Sequence, residues 1–127
     1  MRTIKIAIQA ESGDADWLKQ LALSNCGAQQ IHYEAGVAPL LLPDGTLLEV
    51  YSPHAACPDY LFKTNKVVVS FKVDDIEQAV RTAIDQGLTT LVPITYLCTT
   101  LSYCHLSLAD GTVIGLYQEK EHSVSDS

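Results

Sequence analysis

The feature that most constrains this chain is an internal repeat. Leu42-Pro43-Asp44-Gly45-Thr46-Leu47-Leu48-Glu49-Val50-Tyr51 returns 66 residues later as Leu108-Ala109-Asp110-Gly111-Thr112-Val113-Ile114-Gly115-Leu116-Tyr117. Five of the ten positions are identical, and Leu47/Val113, Leu48/Ile114 and Val50/Leu116 exchange apolar for apolar. In each copy Asp-Gly lies between two strand-like runs, a strong short-range signal for a hairpin.

The match extends upstream. Ile4–Ala10 alternates apolar and polar residues with period two, and Val67–Val73 does the same after an apolar start. A helical stretch follows each strand. Asp74–Gly87 opens with acids, sets Ile76, Ala79, Val80, Ala83 and Ile84 on one face, and stops at Gly87. Asp14–Gly27 sets Trp17, Leu18, Leu21 and Ala22 on one stripe and stops at Gly27. Two further strands fit before each hairpin: Gln30–Ala35 and Val37–Leu42, then Leu88–Ile94 and Leu101–Leu108.

The predicted fold is α+β, two βαβββ units forming half-barrel sheets around a cleft, within one domain spanning 1–127. The units cover about 3–51 and 67–118, joined by a connector at 52–66 and followed by a polar tail at 119–127. Eight main strands in two four-stranded sheets are expected, each sheet with a helix on its outer face. With 127 residues the chain can bury an adequate core without disulfides or a structural metal.

Composition narrows the function classes. Hydrophobic residues make up 47% and charged residues 18%, which excludes disorder. A net charge of −7 argues against nucleic-acid binding; it fits plain solubility first and mildly favours a cationic ligand. Without an apolar run of membrane length or a signal-like start, a cytoplasmic protein is expected, with no membrane partner. Cys26, Cys57, Cys98 and Cys104 form no CxxC pair, and Cys98, Cys104 and His105 lack the spacing of structural zinc.

Parity along the strands separates two faces. Ile4, Ile6, Ile8, Leu48, Val50, Val67, Val69, Phe71, Ile114 and Leu116 are all apolar and are assigned to the helix-covered core; Ile6, Ile8, Leu48, Val69, Phe71 and Ile114 are expected to be buried there. The opposite parity mixes Lys5, Ala7, Gln9, Leu47, Glu49, Tyr51, Val68, Ser70, Lys72, Val113, Gly115 and Tyr117, with Tyr103, His105 and Ser107 in the penultimate strand. That mixture suits a half-open cleft or an ordinary wet sheet face. The candidate ligand-contacting residues are Lys5, Gln9, Glu49, Tyr51, Ser70, Tyr96, Tyr103, His105 and Tyr117. His105 is either a general base working near neutral pH or a polar residue on a wet strand. His32, His54 and His122 fall in or near loops and the tail and receive no role. The segment Thr95–Thr100 is either a flap over the cleft or a plain connection.

Two βαβββ units, the run Phe71-Lys72-Val73-Asp74-Asp75-Ile76 before the second helix, and the closing Asp110-Gly111-Thr112-Val113-Ile114 hairpin resemble the vicinal oxygen chelate superfamily. Its members include glyoxalase I, bleomycin-resistance proteins, fosfomycin-resistance enzymes and extradiol dioxygenases. The resemblance runs from Thr3 to about Gln118 and is more specific in the second half. In metal-using members it implies four ligands, one each from the first and last strands of both units. Those positions hold Lys5, Glu49, Val68 and Gly115 here, and only Glu49 is a metal donor. Shifting the alignment by one residue brings in only Ile4, Ile6, Val67, Val69, Ile114 or Leu116. Expected, therefore, is a metal-independent and cofactor-free binding protein of glyoxalase/bleomycin-resistance type, paired as a homodimer and holding a cationic or aromatic organic molecule. Lys5 and Glu49 then stand where the metal would, as a structural ion pair or as ligand contacts. The alternatives are a metal-dependent enzyme resembling lactoylglutathione lyase, with His105 or His32 recruited as ligand, and an interaction domain whose cleft is filled by side chains.

Overall fold

The structure, a computed structural model, describes residues 4–32 and 35–120. The expectations for Thr3, for the part of the second strand at 33–34, and for the tail from 121 with His122 lie outside the described residues. In chain order the elements are β1 (Ile4–Gln9), α1 (Ser12–Asn25), β2 (Gln29–Gln30), β3 (Val37–Leu41), β4 (Leu47–Tyr51), β5 (Val67–Lys72), α2 (Ile76–Asp85), β6 (Thr89–Thr90), β7 (Thr95–Cys98), β8 (Leu101–Ser107) and β9 (Val113–Glu119). The class is mixed α+β, with nine strands and two helices among the described residues. The chain divides into two compact units, Met1–Val69 and Ser70–Ser127, with the boundary inside β5.

In the first unit the strands run β2-β3-β4-β1. β1 and β4 pair in parallel, which requires a crossover, and α1 belongs to it. The β2–β3 and β3–β4 pairs are antiparallel. α1 packs on β3 and β4, burying Ala15 and Ala22 against Ala38, Leu40 and Val50, with Leu18 and Leu48 at the margin. The expected stripe is therefore corrected. Ala15, Leu18 and Ala22 face the sheet, whereas Trp17 is 63% exposed and Leu21 also points outward. At 100° per residue, positions 15, 18 and 22 lie within one third of the helix circumference; 17 and 21 fall on another flank.

In the second unit β9, β8 and β6 follow one another, and β7 pairs with the Leu101–Tyr103 end of β8 while β6 pairs with its Leu106–Ser107 end. α2 is capped by Asp75, whose carboxylate accepts from the Gln78 N–H, and the chain leaves it through Gln86 and the positive-φ Gly87. Its buried face is Ile76 and Val80, packed on Cys104 and Leu106 with Val73, Ala83, Ile114 and Leu116 around them. Ile84 departs from the expected face and is half exposed. β7 is a second correction: Thr95–Cys98, read as flap or connection, is a strand paired with β8 through an irregular register between Tyr96 and Cys98.

The division of the strands into faces holds, but not the expected burial. Leu48, Val73, Ile114 and Leu116 do turn to the helices. Ile6, Ile8, Leu48, Val69 and Ile114 are only half-buried, and Phe71 is 42% exposed. The helices cover β3, β4, β6, β8 and β9 rather than β1 and β5. Side chains of β1 and β5 on that face therefore lack a full roof. On the opposite parity Ala7, Leu47, Val68, Val113 and Tyr117 are buried.

Candidate functional site

The first unit contributes Lys5, Gln9, Glu49 and Tyr51. The β1–β4 register sets Lys5 opposite Leu47 and Glu49 opposite Ala7. Lys5 and Glu49 are thus diagonal neighbours on one face, a spacing within reach of long side chains, and both are half-buried. Tyr51 packs edge-on against Phe62, ring centroids 5.1 Å apart. Gln9 accepts a hydrogen bond from the Lys66 ammonium at 3.0 Å, and its backbone N–H donates to the Lys66 carbonyl at 2.9 Å. Phe62 and Leu61, both buried, belong to the connector. That segment is no bare linker: it engages two of the four candidates of its own unit. The apolar pair Leu61-Phe62 amid a polar, proline-bearing stretch was the sequence signal for this anchoring.

The second unit contributes Ser70, Tyr103, His105 and Tyr117. His105 lies directly opposite Gly115 across β8 and β9, and Tyr103 opposite Tyr117. The rings of Tyr103 and His105 meet edge to face with centroids 5.4 Å apart. A β-carbon on Gly115 would collide with the Ser70 hydroxyl, stand 2.9 Å from Ser70 Cβ and 3.3 Å from His105 Cδ2. Gly115 is therefore the floor on which Ser70 and His105 converge. Burial pushes the pKa of His105 down to about 4. Its imidazole is neutral at physiological pH, which makes it a hydrogen-bonding and stacking group and a weak base, not one tuned to neutrality as expected from its residue type. Tyr96 does not join this group. Its hydroxyl donates to Glu77 Oε1 at 2.9 Å, on the side covered by α2.

The four positions where the resemblance implies a metal do not fit one. Val68 is buried and apolar, Gly115 has no side chain and no room for one, Lys5 offers an ammonium, and Glu49 remains the single donor. Among the described residues no group of three or more His, Cys, Asp or Glu could hold a metal ion, so His105 and His32 complete no such set there.

Comparison with solved structures bears on the fold. A glyoxalase/bleomycin resistance protein/dioxygenase superfamily member from Vibrio splendidus 12B01 superposes with a TM-score of 0.65 at 12% identity, covering 94% of this chain and all of that one. Methylmalonyl-CoA epimerase from Mycobacterium tuberculosis gives 0.63 at 17% identity, over 94% of this chain and 87% of its own. A variant of the Streptomyces coelicolor epimerase in complex with 2-nitronate-propionyl-CoA gives 0.63 at 19%, over 95% and 99%. No protein-family model and no curated protein sequence matches the chain. The chain has the glyoxalase/bleomycin-resistance fold, the architecture of the vicinal oxygen chelate superfamily, and shares it with these solved structures at low sequence identity. Among the described residues no helix is long and apolar enough to cross a membrane.

Proposed function

We propose that the chain binds a small organic molecule, without a divalent metal, on the second-unit face that carries Ser70, Tyr103, His105 and Tyr117. The observation that carries this reading is the Gly115 floor: at a position where the resemblance implies a metal ligand, a glycine brings a hydroxyl and a neutral imidazole together. An uncharged imidazole edge-on to a phenol ring suits a flat aromatic molecule, and the net charge of −7 favours a cationic one. An aromatic amine satisfies both. The structural neighbours give no support to the alternative resembling lactoylglutathione lyase. We place the protein in the cytoplasm as a homodimer; its four cysteines, all free thiols, suit a reducing compartment.

The test is nuclear magnetic resonance of the chelator-treated full chain titrated with aromatic amines, aromatic acids and a CoA thioester. A saturable shift of the His105 and Tyr103 ring signals by an aromatic amine is the expected result. The reading fails if no compound moves those signals, or if binding requires added metal.

A further inference from the structure

The first turn of α2 stands over a row of three side chains that crosses β7, β8 and β9. Tyr96 pairs with Ser102, and Ser102 with Gln118. The two outer members reach the helix: the Tyr96 hydroxyl donates to Glu77 Oε1, and Gln118 Oε1 accepts the Ile76 N–H, each at 2.9 Å. The middle member is too short to follow. Ser102 is only 7% exposed, and its hydroxyl makes no hydrogen bond among the described residues. Above it lies a hollow of about 250 Å³, lined also by Cys98, Thr100 and Lys120.

The Ser102 hydroxyl opens into this hollow, where a ligand or water can take up its hydrogen-bonding capacity. The rim carries both charge signs, Lys120 on one side and Asp75 and Glu77 from the start of α2. The thiol of Cys98 is exposed, with Sγ 3.3 Å from the Thr100 hydroxyl. Hydrogen bonding from the Thr100 side chain and then its backbone holds that thiol below the usual cysteine range, which raises its thiolate fraction.

We propose that the hollow over Ser102 docks a low-molecular-weight disulfide of amino-acid type and that Cys98 at its rim exchanges with it. The carboxylate of such a ligand matches Lys120, its ammonium matches Glu77 and Asp75, and a carbonyl accepts from Ser102. Cys98 first loses its proton to solvent. Its thiolate then attacks one ligand sulfur, a new S–S bond forms, the old one breaks, and the electron pair leaves on the departing sulfur, which takes a proton from water. Cys98 is oxidised and the released half of the ligand is reduced. This site lies on the α2 side of the second unit, away from the His105 face, and stands independently of the function proposed for that face.

Oxidised glutathione is the probe. The full chain is incubated with increasing concentrations, and mixed disulfides at Cys98 and at Cys26, another exposed thiol, are followed by peptide mass mapping. The Cys98 rate is expected to saturate, as docking before reaction requires, while the Cys26 rate rises linearly. Ser102→Val, which removes the hydroxyl and narrows the hollow, is expected to abolish saturation and slow Cys98 by about tenfold at low concentration. Lys120→Met, at an exposed position, is expected to raise the half-saturating concentration several-fold. A linear Cys98 rate close to that of Cys26 overturns the proposal, as does saturation that survives Ser102→Val. Should Ser102→Val fail to fold, an unchanged half-saturation in Lys120→Met overturns it alone.

Discussion

Gly115 shows how much one missing side chain can organise. Its backbone torsions are not of the left-handed kind, so the reason for glycine is steric: Ser70 occupies the volume that a β-carbon needs. Gly115→Ala is expected to cost about 1–3 kcal/mol, the usual range for overpacking. Ser70→Gly in the same chain should recover part of that loss, and denaturant melts of the two single variants and the double variant would show whether the effects couple. His105, beside it, makes a pH prediction. Its folded pKa of about 4 lies below the ordinary 6.5 of the unfolded chain. Between those values the unfolded state binds the proton and the folded state resists it. Stability is therefore unaffected above pH 6.5 and falls as the pH drops from 6.5 towards 4, by on the order of 3 kcal/mol at most. Melts across that window should flatten in His105→Gln; an equally steep loss in the variant would contradict the assignment.

Among elements, the two hairpin turns are near copies. Asp44 accepts from the Thr46 N–H at 2.9 Å and Asp110 from the Thr112 N–H at 3.0 Å. Gly45 and Gly111, at φ of +92° and +90°, adopt a conformation open to glycine at little cost. The Thr46 and Thr112 backbone hydrogen bonds hold both carboxyls below the usual aspartate value of 3.8. For a lowered carboxyl the contribution is present above the unfolded pKa and lost as pH falls through the folded one. Thermal melts below pH 4 should accordingly be shallower in the Asp44→Asn, Asp110→Asn double variant than in the parent, since asparagine keeps an acceptor without the titration. The turns and the glycine stops of the helices were legible because they depend on neighbours in the chain, whereas α1 starts at Ser12, ahead of the expected Asp14. The buried face of α1 was not legible. Trp17 and Leu21 are larger and more apolar than Ala15 and Ala22, yet α1 presents its alanines to β3 and β4.

For the whole molecule, the exposed apolar surface is the notable feature. Trp17, Val67 and Phe71 are 63%, 46% and 42% exposed. Surface of this kind is commonly covered by another chain. Sedimentation velocity at tens of micromolar should give a two-chain species; a lone monomer would count against the pairing. With one carboxylate among the four implied ligand positions, chelator should leave the melting temperature unchanged, and a fall of several degrees would point to a metal held elsewhere in the chain.

The sequence by itself determined the α+β class, the Asp-Gly turns, the glycine stops of both helices and the two faces of each strand. Each of these follows from local periodicity, turn chemistry or residue identity, which act over a few neighbours. Only the tertiary structure decided which of two sheet faces is more buried, that Leu61 and Phe62 anchor the connector, that Tyr96 reaches Glu77 instead of joining His105, and that His105 is held neutral. These depend on which strands a helix covers and on what fills the space beside a glycine. Such contacts join residues far apart in the chain, and no period in the sequence encodes them.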